Sequence, residues 1–379
     1  MKFTINRTAF LRYFNDVSRA IPSKTAISIL TGLKLDLTND GLQLTGSNAD
    51  ISIESFLPVS DEELDLQVES VGAVVLSARF FGEVVKRLPD ETFTFDVQDN
   101  FQTVLTSGQS EFTINGFDAN NYPRLPEIEE QNKLKINADI LHDLINQTVL
   151  AVSNQESRPI LTGVHFLIDG NGLLAVATDS HRLAQRRLDL ENITGTYNLV
   201  IPGKSLLELG RMLADLKEDV SLKINENQVL FSFGNTKFYS RLLEGNYPDT
   251  TKLIPTDANT TLQLAAGDLL SAIDRASLLS HASRSNVVRL ILNPANNVAT
   301  LSSTSPDVGT TEENLQIATL SGEELDISFN PDYMKDALRA FGATDIILAF
   351  TTNLRPFTLY PSEDKEHYIQ LITPVRTFN

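Results

Sequence analysis

Apolar residues along this chain follow two alternating rhythms. Residues 2–5 alternate apolar and polar like a strand; then Phe10, Leu11, Phe14, Val17 and Ile21 recur at the three- and four-residue spacing of a helix. Short strand patterns follow at 32–37 and 42–45, each closed by turn formers (Thr38-Asn39-Asp40-Gly41 and Gly46-Ser47-Asn48). The same unit restarts at 73–76, with a second helical stripe of Phe80, Phe81, Val84, Val85 and Leu88 that Pro89-Asp90 stops. Three more strands are predicted at 93–97, 103–107 and 111–115. A strand, an amphipathic helix and a run of strands therefore occur twice in succession.

That double unit recurs along the chain. Leu134-Lys135-Ile136-Asn137-Ala138-Asp139-Ile140-Leu141 echoes Phe3-Thr4-Ile5-Asn6-Arg7-Thr8-Ala9-Phe10, and Leu262-Gln263-Leu264-Ala265-Ala266-Gly267-Asp268-Leu269 echoes both. Asn121-Tyr122-Pro123-Arg124 is answered by Asn246-Tyr247-Pro248-Asp249. A period of roughly 125 residues is far longer than a solenoid repeat and is the size of a whole domain. Three domains are expected, at 1–127, 128–255 and 256–379, with polar or proline-bearing linkers near 126–133 and 255–261. The second copy's helical stripes are Ile140, Leu141, Leu144, Ile145 and Val149, then Leu206, Leu207, Met212, Leu213 and Leu216. Those of the third are Leu269, Leu270, Ile273 and Leu278, then Tyr333, Met334, Ala337, Leu338 and Phe341. Each stripe is expected to pack into a core. The predicted class is α+β, two helices on one face of antiparallel sheet in each domain.

Charge changes this picture. The chain of 379 residues has a net charge of −18, which on its face argues against a nucleic-acid binder. Its distribution is uneven. The predicted helices at 7–19, 79–88, 138–152, 204–215, 268–280 and 331–341 carry +2, +2, −2, 0, −1 and 0, a net of +1 that leaves −19 on the rest. If the helices share a concave face, that face is nearly neutral with cationic points, and it can tolerate DNA without reading bases. The absence of cysteine excludes disulfides and thiolate metal sites and fits a reducing cytoplasm. With no secretory h-region and no apolar run near ~18 residues, the chain is expected to be soluble and cytoplasmic, with no membrane partner.

Catalytic chemistry is sparse. Gly203-Lys204-Ser205 resembles the end of a P-loop, but Asn198 stands where that motif requires glycine. The five histidines (His142, His165, His181, His281 and His367) form no metal-ligand spacing, and no Gly-x-Ser-x-Gly elbow is present. Acid runs such as Asp61-Glu62-Glu63 and Glu127-Ile128-Glu129-Glu130 read as solvated loops. No catalytic residue, metal or cofactor is expected. Thr178-Asp179-Ser180-His181-Arg182-Leu183 does stand out, because the corresponding Ser47-Asn48-Ala49-Asp50-Ile51-Ser52 and Thr304-Ser305-Pro306-Asp307-Val308-Gly309 lack its His-Arg-Leu cluster. It is either a strand-end loop that satisfies neighbouring groups or a functional specialisation. A hydrolase or nuclease with an unseen site and an extended multidomain scaffold that never closes are the competing functions.

The chain resembles the bacterial sliding clamps, the beta subunits of DNA polymerase III, from residue 1 to 376. The resemblance is carried by Met1-Lys2-Phe3-Thr4, Ile29-Leu30-x-Gly32-Leu33, Ala177-Thr178-Asp179-x-His181-Arg182-Leu183, Tyr247-Pro248-Asp249, Phe329-Asn330-x-x-Tyr333 and Thr373-Pro374-Val375-Arg376. It implies three repeated DNA-clamp domains and a head-to-tail homodimer, a closed six-domain ring around duplex DNA. It also implies a processivity factor that tethers the replicative polymerase, clamp loader and repair proteins through a peptide pocket between the second and third domains. Residue by residue, the pocket maps to Arg158, Leu161, Thr178, His181, Arg182, Leu183, Pro248, Leu253, Asn330, Tyr333, Leu371, Pro374, Val375 and Arg376. DNA-facing cations map to Lys24, Arg79 and Lys204, and the ring-closing contact to Phe112, Leu278 and Leu279. The chain departs from the best-known relatives at Thr373, where they have a bulkier apolar residue, and in running three residues past Arg376.

Overall fold

The computed structural model describes residues 1–125, 133–190, 193, 195–283 and 286–377. The predicted linker after residue 125, its acid run, the boundary at 127/128 and the last two residues of the extension lie outside the described residues.

The double unit expected from the pattern is present. Among the described residues six α-helices stand at equivalent places: α1 (Arg7–Ser18), α2 (Ala78–Arg87), α3 (Ala138–Thr148), α4 (Gly203–Leu213), α5 (Ala266–Ala282) and α6 (Pro331–Phe341). Each follows a strand directly, α6 after the single residue Asn330, and is followed by antiparallel strands. Local chemistry explains the starts. Asn6 caps α1 by accepting from Ala9 N at 3.0 Å, and Asn330 caps α6 with Pro331 in its first turn. The predicted helix at 138–152 stops earlier. The Thr148 hydroxyl donates back to the Leu144 carbonyl at 2.7 Å, and 149–151 tighten into a 3₁₀ turn.

The strands pair in a way that cuts across the repeats. Two compact units result, one of residues 1–140 and 208–242, the other of 141–207 and 243–379. In the first, Thr236–Arg241 of the middle repeat pairs antiparallel with Ile51–Pro58 of the first, Phe238 opposite Ile53, within a 13-stranded sheet. In the second, Arg182–Leu188 of the middle repeat pairs with Tyr368–Ile372 of the third, Leu183 opposite Leu371, within a nine-stranded sheet. A four-stranded sheet completes the second unit.

The stripes predicted as core are only partly buried. Phe80, Ile140, Leu207 and Leu278 are 67%, 46%, 44% and 73% exposed. Each belongs to an adjacent apolar pair, and neighbours on a helix point about 100° apart, so only one of the two can face the sheet. Their partners Phe81, Leu141 and Leu206 are fully buried. In the first repeat that inward face is aromatic. Phe81 meets Phe10 edge-on at 5.7 Å and Phe95 at 5.8 Å, and Phe3 stacks on Phe95 at 4.8 Å. Gly82 lets α1 and α2 approach, since a Cβ there would sit 2.5 Å from the Phe14 ring.

Candidate functional site

All of the sequence-assigned groove residues lie in the second unit. Their centre is the turn between the strands Gly172–Thr178 and Arg182–Leu188. Asp179 Oδ1 accepts from His181 N at 2.9 Å and from Arg182 N at 3.0 Å. In the first repeat Asn48 Oδ1 accepts from Asp50 N and Ile51 N, both at 2.8 Å. Both repeats thus use the same side-chain-closed turn. What differs in the middle repeat is the pair of side chains this turn displays.

Arg182 is held from three sides. Its Nε lies 3.0 Å from Asp179 Oδ2, its Nη1 2.6 Å from Asp336 Oδ2 on α6, and its guanidinium 4.6 Å from the centre of the Tyr333 ring. The His181 ring lies nearly parallel to Tyr333, with centroids 6.3 Å apart. Burial, reinforced by Asp179, pushes the Tyr333 phenol above its ordinary range. The Thr178 hydroxyl donates to Arg182 O at 2.6 Å, and Thr178 N donates to the Tyr247 hydroxyl at 3.0 Å. Tyr247 stacks on His165 at 4.8 Å. Burial raises the phenol's pKa and, at His165, overrides the Asn198 hydrogen bond to lower the imidazole's. Arg158 Nη1 reaches Ser180 Oγ at 3.2 Å.

Beneath this polar wall is an apolar floor of Val176, Leu183 and Leu371, with Leu174 and Ile254 packed against it. Leu161 is buried in the 3₁₀ turn Pro159–Thr162, while Leu253, next to Ile254, is 50% exposed. Beyond Ile372 the tail continues across the unit. Thr373 N donates to His181 O at 2.9 Å and Val375 N to Ser328 O at 2.7 Å. Val375 and Arg376 border a cavity of about 310 Å³ together with Asn353 and Leu354. Among the described residues Pro248, Pro374 and Arg376 make no hydrogen bond or ion pair within this cluster, and Asn330 acts through its helix cap. Sequence reasoning missed Asp336, which nothing in the local pattern marks. It also missed the roles of Asp179 and Tyr247, which the side-chain-closed turn and the repeated Asn-Tyr-Pro did signal.

The other assigned residues are not part of the contacts described above. Arg79 is exposed on the first turn of α2 and, with Lys86, borders a cleft of about 440 Å³ between α1 and α2. Lys24 is exposed beyond the end of α1, and Lys204 on the first turn of α4. Phe112, 40% exposed, sits on Ser110–Phe117, a strand whose only pairing among the described residues on the side away from Gln102–Ser107 is at Gly116 and Phe117. Leu278 is the most exposed large apolar side chain among the described residues, and Leu279 beside it is half-buried. Among the described residues no group of three or more His, Asp or Glu is placed to hold a metal ion, and no helix is long and apolar enough to cross a membrane.

Comparison with known proteins covers nearly the whole chain. Profiles of the DNA polymerase III beta subunit match by domain: the N-terminal domain over 1–126, the central domain over 135–249 and the C-terminal domain over 251–376. The chain is 48% identical to the beta sliding clamp of Bacillus subtilis (strain 168) over all of both sequences. It is 45% identical to that of Streptococcus pneumoniae serotype 4 over 99% of each. The crystal structure of the DNA polymerase sliding clamp from Bacillus subtilis superposes with a TM-score of 0.96 at 48% identity, covering 100% of both chains. A Pseudomonas aeruginosa sliding clamp bound to griselimycin shares the fold, with a TM-score of 0.92 at 24% identity and 100% coverage of both chains.

Proposed function

The chain belongs to the family of DNA polymerase III beta subunits, the beta sliding clamps, and on that premise we propose that it is a DNA sliding clamp. Two copies join head to tail into a closed ring of six domains around duplex DNA, the domains divided at 127/128 and 255/256. The ring tethers the replicative polymerase, and it serves the clamp loader and repair proteins through the same docking groove. It has no catalysis of its own and works in the cytoplasm.

The observation that carries this reading is family identity along the full length of three repeated domains. Among the strand edges left open in the described residues, two support ring closure. Ser110–Phe117 carries Phe112 in the first unit; among the described residues Gly309–Asn314 in the second pairs on one side only, with Val298–Ser305. An open edge is a template for another chain, and a head-to-tail contact between unlike faces closes when its rotation does. The DNA-facing residues are Lys24, Arg79 and Lys204, and the contact residues are Phe112, Leu278 and Leu279. With a net charge of −18, affinity for the phosphate backbone is weak and salt-sensitive; topology does the holding.

The groove takes a short peptide from each partner. Its apolar anchors enter over Leu183, Leu371, Leu253 and Val375, and its polar groups meet His181, Arg182 and Arg158. Affinity near a micromolar dissociation constant, about −8 kcal/mol, is expected of a few buried anchors set against ordering entropy. The test is retention on DNA. Protein loaded on closed circles should stay bound through a wash and be released when the circle is linearised. Equal retention on linear DNA with free ends would overturn the reading.

A further inference from the structure

Away from the groove, the least expected side chain is a lysine buried between two helices. Lys335 on α6 is 8% exposed. Its Nζ lies 3.1 Å from Asp332 Oδ1, 3.3 Å from Ser277 Oγ and 3.9 Å from Asp274 Oδ1. Asp332 is the hub: His281 Nε2 is 3.0 Å from its Oδ1, and Asn286 Nδ2 donates to its Oδ2 at 2.8 Å. Asn286 Oδ1 in turn accepts from the Ser280 hydroxyl at 3.0 Å. Burial alone would raise the Asp332 pKa, but the hydrogen bonds from Asn286, Lys335 and His281 hold it below the ordinary range, so the hub is ionised.

These contacts have one address. Asp274, Ser277, Ser280 and His281 fall on the C-terminal half of α5, and Asn286 lies just beyond its cap. Leu278, 73% exposed, and Leu279 belong to the same turns. At 17 residues α5 is longer than the other five helices, which have 10 to 12, and the hub grips the extra length. An apolar seam would bury these turns equally well, but it would tolerate sliding and rotation. Directional, charge-assisted hydrogen bonds do not.

We propose that the Lys335–Asp332 hub is a positioning device for ring closure, setting the rotation and angle of the last turns of α5 so that Leu278 and Leu279 meet the second copy. This rests on the ring-closure reading above. A buried charge pair serves here for conformational specificity. Removing the lysine alone leaves Asp332 and Asp274 without their shared cation and lowers the melting point too. The specificity is therefore read from dimer affinity and local exchange in variants that remain folded.

The experiment compares the full chain with Lys335→Met, Lys335→Arg and Asp332→Asn by sedimentation equilibrium. Thermal melting and amide hydrogen exchange of residues 277–283 are followed in parallel, the exchange at dilutions that favour monomer. Lys335→Met should melt below the parent but stay folded, dissociate from its partner with at least a tenfold higher constant and exchange faster at 277–283 than in the rest of the chain. Lys335→Arg should restore most of the dimer affinity. If Lys335→Met fails to fold, Asp332→Asn carries the test with the same expected rise. A dimeric parent whose dissociation constant is unchanged in the folded variants overturns this proposal alone. A parent that is monomeric at tens of micromolar overturns the ring-closure reading and the proposal with it.

Discussion

Arg182 joins an observed structural contact to the docking role proposed for it. Its guanidinium is satisfied by Asp179 and Asp336 while one face lies on Tyr333. Replacing it with alanine leaves two carboxylates without their shared cation. Arg182→Ala should therefore cost on the order of 2 kcal/mol of stability and at least a factor of ten in peptide affinity. Chemical denaturation and fluorescence anisotropy check the two effects separately. His367 offers a second test. Its Nδ1 lies 2.7 Å from Asp364 Oδ1 and its Nε2 3.2 Å from Asp189 Oδ2, beside the Arg186–Asp364 pair. The Asp364 hydrogen bond, then Asp189, raise its pKa above the ordinary 6.5. Its stabilisation is thus full below about pH 6.5 and is lost as pH rises through the folded value. Burial would raise the Asp364 carboxyl, but Arg186 and His367 hold it lower, so its share is present above 3.8 and disappears as pH falls through the folded value. The melting-temperature advantage of the parent over His367→Gln should be greatest near pH 5–6 and shrink by pH 8.5. A constant difference across that range would refute this linkage.

At the scale of elements, the tail after Ile372 joins a structural tie to its proposed docking role. Thr373 N and Val375 N tie it to His181 O of the middle repeat and Ser328 O of the third, and Val375 stays 37% exposed beside the groove. Deleting residues 373–379 removes those two backbone bonds, about 1–3 kcal/mol at most, without touching the helices. Peptide binding should be abolished while the melting temperature falls only slightly. Undiminished affinity in that truncation would place the groove elsewhere. α6 shows a comparable economy, with Tyr333 and Asp336 turned to the groove and Asp332 and Lys335 to α5.

For the whole molecule, the prediction concerns assembly. Leu278 and Leu279 are the apolar part of one face of the proposed contact and Phe112 of the face it meets. Charges placed at the core of an interface and left unpaired cost several kcal/mol, so Leu278→Asp with Leu279→Asp should yield a folded monomer. A native mass that remains dimeric at micromolar concentration would show that these leucines lie outside the contact.

The amino-acid pattern alone determined the repeats, the six helices to within a few residues and the α+β class. Those depend on periodicity and capping, which are local: Asn6 and Asn330 cap helices within three residues of themselves. The turn at 178–183 was legible as a departure between repeats, and the family likeness named its residues. Tertiary structure decided everything that depends on partners far along the chain. It put Leu183 opposite Leu371 and Arg182 against Asp336, and it buried Lys335 while leaving Leu278 in solvent. It also divided the middle repeat between two compact units. No spacing rule spans such separations, because strand pairing and burial minimise the energy of the whole sheet rather than of any segment.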